Sequence, residues 1–211
     1  MQQRTVVQQE LQQLSRHLAV APDQPRLYIQ RGMAHFKLGQ ITAAIDDFDQ
    51  AERLNPDVTP HLWQRGLAYY YAERFADGAR QFEIDLTVNG HDVEETVWRY
   101  LCQAQLQDAA TARAALYLVR RDARPVMAWI YRLFAGECTA EALLAHSQHA
   151  GVRDVFYSQL YVGLYCEAER DAAQARTWIT QAAGMQVLDD YMGWLALVHQ
   201  QVRGWGEVPR P

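Results

Sequence analysis

The sequence predicts an all-α chain, an α-α superhelix of helix pairs stacked in tandem. Three observations carry this reading. The chain resembles itself at an offset of 34 residues, each half of that period places apolar residues at helical spacing, and glycine or proline stands at the joints.

The offset aligns Pro22-Asp23 with Pro56-Asp57 and Gln30-Arg31-Gly32 with Gln64-Arg65-Gly66. It also pairs Ala34 with Ala68, Phe36 with Tyr70 and Phe48 with Phe82. Within one period, Leu27 to Leu38 and Ile41 to Leu54 each read as an amphipathic helix, with Gly39 between them and Asn55-Pro56-Asp57 after the second. Proline cannot continue that second helix, because it has no N–H and its ring clashes with the preceding turn. Thr59 then reads as an N-cap with Pro60 at the first helical position. Gly32 and Gly66 fall inside helices, where glycine costs about 1 kcal/mol against alanine. Such positions make sense where two helices cross with no room for a side chain, with Ala44 and Gly78 as the small partners on the second helix.

A third regular copy follows as Gly163, Ala175, Ile179 and Ala182. Its glycine comes 97 residues after Gly66, five short of three periods, so two shortened helix pairs are expected between, near 94–107 with 109–120 and 125–135 with 139–149. Thr139 followed by Glu141 reads as a capped helix start. The whole is expected to be one domain, 1–211: a cap helix over 1–20, two regular repeats over 25–90, two degenerate pairs over 93–150, a regular repeat over 156–189 and a closing helix over 188–202. That amounts to about five helix pairs with a capping helix at each end. In the first helix Leu11, Leu14 and Leu18 form one apolar stripe that must be covered.

The order Gly32, His35, Ala44, Phe48, Ala51, Pro56 resembles the tetratricopeptide-repeat (TPR) consensus, and the second copy reads Gly66, Tyr69, Gly78, Phe82, departing at Asp85 where alanine is usual. The stretches VWRYLCQAQLQDAATARAAL and VFYSQLYVGLY further resemble the bacterial TPR adaptor lipoprotein family NlpI, whose lipid-attachment cysteine has no counterpart here. The resemblance implies a solenoid whose first helices line a concave groove. It assigns Ile29, Met33 and Lys37 to that groove, followed by Trp63, Leu67, Tyr70 and Tyr71, then Val97 and Leu101. TPR domains that clamp an acidic chaperone terminus need Lys and Asn at positions held here by Ile29, Met33, Gln64, Glu94 and Trp98, so an apolar-aromatic groove is expected instead. Lys37 and Glu94 would sit at its edge and steer a ligand.

Function is accordingly expected to be non-enzymatic: an adaptor or scaffold whose partner is another protein, bound as a peptide or amphipathic helix. The alternative is a self-assembling homodimer built on the groove or on the N-terminal helix. Net charge is -5, which lacks the basic excess of a general nucleic-acid binder. No run of eighteen apolar residues implies insertion in a membrane. No phosphate loop, nucleophile elbow, zinc helix or dinucleotide fingerprint occurs, so no catalytic residue and no cofactor is expected. His146 and His149 stand i, i+3 but want further ligands, so they are expected to be a solvated or partly packed helix face and no metal is assigned. His91-Asp92-Val93-Glu94-Glu95 reads as a turn and capped helix start rather than an acid–base cluster. Arg120, Arg121 and Arg124 read as cations following a helix C-terminus. Three scattered cysteines, Cys102, Cys138 and Cys166, suit a reducing compartment. A cytoplasmic setting is expected, or a periplasmic one should a leader or lipid-attachment segment have been removed.

Overall fold

A computed structural model describes residues 2–119 and 122–206. Helix accounts for 75% of the described residues, and no strand occurs among them, so the all-α reading holds. The chain divides into two compact units, Met1–Val88 and Asn89–Pro211. The first contains α1 (Gln2–Val20), α2 (Pro25–Lys37), α3 (Ile41–Leu54), a 3-10 segment (Pro56–His61), α4 (Trp63–Tyr71) and α5 (Phe75–Asp85). The second contains α6 (Val93–Leu106), α7 (Ala109–Ala114), α8 (Pro125–Phe134), α9 (Ala140–Ser147), α10 (Val152–Ala168), α11 (Ala172–Gly184) and α12 (Tyr191–Val202). Sequential helices pack as antiparallel pairs, α2 on α3, α4 on α5 and α10 on α11, the arrangement of a TPR solenoid.

The mid-helix glycines are where these three pairs close. A Cβ on Gly32 would lie 2.9 Å from Phe48 Cε1, one on Gly66 2.6 Å from Phe82 Cζ, and one on Gly163 2.5 Å from Ile179 Cγ1 and 3.0 Å from its backbone nitrogen. In all three the intruding residue is sixteen further along the chain. The side chain of the second helix therefore fills the missing Cβ of the first, and Ala44, fully buried, lets the backbones approach. Gly163 shows the same closeness to the Ala175 carbonyl, at 3.3 Å.

Five helices also end alike. After α2, α4, α8, α10 and α12 the backbone turns left-handed at Gly39, Glu73, Gly136, Arg170 and Gly204. The next N–H then returns to a carbonyl five residues back, as in Gln40 to His35 (2.9 Å), Arg74 to Tyr69 (2.9 Å) and Asp171 to Cys166 (2.8 Å). This closure satisfies carbonyls that a helix end leaves open. Only the glycines reach that conformation without strain on a Cβ.

Some boundaries differ from expectation. Thr59 does not cap α4: its hydroxyl bonds Glu52 (2.7 Å) and the Pro56 carbonyl (2.6 Å), residues 56–61 wind as a 3-10 turn, and α4 begins at Trp63. Asn55 caps instead, accepting from the Asp57 N–H at 3.0 Å. The helix expected over 109–120 stops at Ala114, because Arg99 draws off the Ala115 carbonyl (2.9 Å) and stacks on Tyr117 (4.0 Å). In α1 the covered stripe is Val7, Leu14 and Leu18, packed toward α2, while Leu11 lies at its half-buried margin.

Replacing Gly32 by leucine drives a branched side chain into the fully buried Phe48 ring and should cost several kcal/mol. Urea denaturation should show the midpoint falling sharply; an unchanged midpoint would mean the pair does not close at this residue.

Candidate partner-binding strip

Around the axis of α2 the side chains divide into arcs, at about 100° per residue. Gly32, Ala34 and Phe36 are buried on the two flanks where neighbouring helices pack. Between the flanks, Arg26, Ile29, Gln30, Met33 and Lys37 share an arc of about 100° that no helix covers completely. Arg26 and Gln30 are exposed, while Ile29, Met33 and Lys37 are half-buried. Trp63, at the start of α4 and also half-buried, occupies the repeat position of Ile29. The next residue, Gln64, brings its amide to 3.8 Å from the Met33 sulfur, tying α4 to this strip.

The expected groove does not extend along α4. Leu67, Tyr70 and Tyr71 are 1%, 0% and 4% exposed. Phe36 meets Tyr71 edge-on at 5.7 Å, Tyr71 meets Tyr70 at 5.5 Å, and Tyr70 meets Phe75 at 5.5 Å. These tyrosines hold the two pairs of the first unit together rather than facing a ligand.

In the second unit the corresponding face of α6 is covered by α10. Tyr161 donates to Glu94 at 2.8 Å near one end of α6, and Arg170 donates to Gln105 at 3.0 Å near the other. Val97 and Leu101, between those two bonds, have no exposed surface, so they are core and not groove. Glu94 is not a steering charge either. Besides Tyr161 it pairs with Arg124, which also holds Asp122 at 2.9 Å and lies 3.6 Å from Asp92. Burial raises the Glu94 carboxyl above its ordinary value, against the opposing pull of Arg124. Arg124 itself precedes α8 as its N-cap residue, not a helix C-terminus, and Arg120 and Arg121 lie outside the described residues. Asp92 caps α6, accepting from the Glu95 N–H at 3.0 Å, as expected.

Of the nine groove residues read from the sequence, Ile29, Met33, Lys37 and Trp63 stay accessible. Arg26 and Gln30 join them, a membership visible in the spacing 26, 30, 33, 37. Comparison with known proteins bears on what the strip belongs to: the family model for the tetratricopeptide repeat matches residues 25–58, the pair α2–α3.

The chain carries a tetratricopeptide repeat at residues 25–58.

Its sequence is 29% identical over 96 residues to "Protein SGT1 homolog" of Bos taurus, covering 46% of this chain and 28% of that protein. It is 27% identical over 90 residues to the Homo sapiens protein of the same name, covering 41% and 25%. Tetratricopeptide repeat protein 13 of Homo sapiens is 32% identical over 77 residues, covering 36% and 9%. The likeness thus spans about a quarter of the SGT1 relatives and concerns the repeats. These comparisons do not confirm the narrower resemblance to NlpI.

The helix pair α4–α5 carries a polar inlay at Asp85. This carboxyl has no exposed surface and accepts from Gln81 at 2.7 Å. Gln81 also donates to the Thr59 carbonyl (2.9 Å) and accepts from Arg65 (2.9 Å), whose guanidinium binds Glu52 (2.7 Å) and Asp49 (3.0 Å). Burial pushes Asp85 up to about 7, against the smaller opposing effects of Gln81 and Arg65. Elsewhere, His146 lies flat on Trp129 at 4.4 Å, and Arg132 caps the same ring at 4.5 Å. Among the described residues no group of three His, Cys, Asp or Glu side chains is placed to hold a metal ion.

Because folding raises the Asp85 pKa, its contribution is present at low pH and is lost as pH rises through about 7. Asp85→Asn should therefore gain stability relative to the parent between about pH 6 and pH 8. Denaturant titrations of both chains at the two pH values check this, and a difference independent of pH would contradict it.

Proposed function

We propose that this protein is a non-enzymatic adaptor that holds a peptide or amphipathic helix of another protein along the outer strip of α2, with Trp63 beside it. The observation that supports this reading is the partial exposure of Ile29, Met33 and Trp63 on a helix arc whose flanks are fully packed. Apolar side chains aligned on rigid helices are the usual anchors for a helical ligand, and a few such residues supply most of the binding energy of an interface. The repeat at residues 25–58 supports the coarser statement, since tetratricopeptide repeats are protein-binding scaffolds. The alternative of a dimer through the N-terminal helix finds less support, because the stripe Val7, Leu14 and Leu18 is already packed in the first unit. Three free cysteines far apart in sequence support a reducing, cytoplasmic setting.

Met33→Asp with Trp63→Ala should reduce partner capture from native lysate at least about tenfold, equivalent to 1.4 kcal/mol, without changing the thermal melt. Quantitative affinity capture with the parent chain in parallel measures it. Equal capture by the variant would move the binding surface away from α2. Tyr71 is unsuitable for such a test, because its ring belongs to the core.

A further inference from the structure

The strip has a charge pattern as well as an apolar centre. Arg26 opens it and Lys37 closes it, about 16 Å apart at 1.5 Å per residue, or three turns. Three other cations of the first unit are neutralised locally: Arg31 on Asp47, Arg65 on Asp49 and Glu52, Arg74 on Asp77. Neither Arg26 nor Lys37 has an acidic side chain within salt-bridge distance among the described residues. The closest acidic residue in sequence, Asp23, accepts from Gln24 instead. Arg4 of α1 adds a further positive charge at the same end as Lys37, its guanidinium lying 3.2 Å from the Leu38 carbonyl. Ile29 and Met33 fall between these ends.

Resting on the adaptor reading, we propose that the partner is an acidic amphipathic segment of about three helical turns. Its apolar face sits on Ile29, Met33 and Trp63, and its carboxylates reach Arg26 at one end and Lys37 at the other. The two basic ends set partner choice and orientation, since complementary charge at the edge of an apolar contact suppresses partners of the wrong sign. This surface differs from a clamp for a terminal carboxylate: the repeat positions that a clamp needs are Ile29, Met33 and Gln64, and the cations stand three turns apart rather than converging on one point.

Selection of a phage-displayed library of random sixteen-residue peptides on the full chain, at low salt, tests the proposal. Three targets are used: the parent, Arg26→Glu with Lys37→Glu, and Met33→Asp with Trp63→Ala, each checked for an unchanged melt. Peptides selected by the parent should combine apolar residues with at least a threefold excess of Asp and Glu over Lys and Arg. The charge-reversed chain should select the opposite sign. Parent and charge-reversed pools of equal charge would overturn the acidic-partner inference, and they would leave the adaptor reading standing if the apolar peptides are lost with Met33→Asp and Trp63→Ala. Selection of the same pool by that apolar variant, or no enrichment on the parent, would overturn both.

Discussion

The three regular helix pairs of this protein, α2–α3, α4–α5 and α10–α11, close where the first helix gives up a side chain. Gly32, Gly66 and Gly163 each stand where a Cβ would collide with a core side chain sixteen residues later, at 2.5–2.9 Å. A glycine inside a helix costs about 1 kcal/mol relative to alanine. The return is close packing of Phe48, Phe82 and Ile179 directly against the first helix, with essentially no exposed surface on any of the three. This contact fixes both the spacing of the helices and their rotation about their own axes, and the rest of each pair follows from it.

Rotation is what creates the α2 strip. With Gly32 pinned against Phe48, Ala34 and Phe36 must bury on the flanks, and the arc holding Arg26, Ile29, Met33 and Lys37 is left over. In α6 the corresponding arc is used differently. There α10 lies along it, Tyr161 and Arg170 bond its two ends, and Val97 and Leu101 become core. One repeat geometry therefore yields an open face in one place and a packing face in another, decided by whether a later helix returns to cover it. The polar inlay from Asp85 through Gln81 to Arg65 shows a further use of the same scaffold, with a charged group placed at a position where the repeat usually has alanine.

The 34-residue period, the crossing glycines and most helix spans are legible in the sequence because they are local or strictly periodic. Asp92 and Thr139 cap their helices where side-chain chemistry alone places them. Thr59 misleads because residues 56–61 wind as a 3-10 turn that delays the start of α4 to Trp63. The early end of α7 is set by Arg99, on a different helix, through a bond to the Ala115 carbonyl. Periodicity also shows which arc of a helix is available without saying what covers it. Glu94 and Tyr161 are separated by 67 residues, and nothing in the spacing of either announces the other. That is why Leu67, Tyr71, Val97 and Leu101 read as groove and fold as core.

The central claim, that glycine is required because an aromatic ring occupies the place of its Cβ, is open to a direct energetic test in the second repeat. A double-mutant cycle would combine Gly66→Ala with Phe82→Leu, which removes the ring carbons nearest the place an alanine methyl would take, and read each chain by urea denaturation. The account predicts that Gly66→Ala costs about 1–3 kcal/mol in the parent. It predicts that this cost falls by at least about 1 kcal/mol in the leucine background, where the higher helix propensity of alanine is no longer opposed. Effects that add within about 0.5 kcal/mol would contradict it, because the glycine would then be answering to something other than the ring.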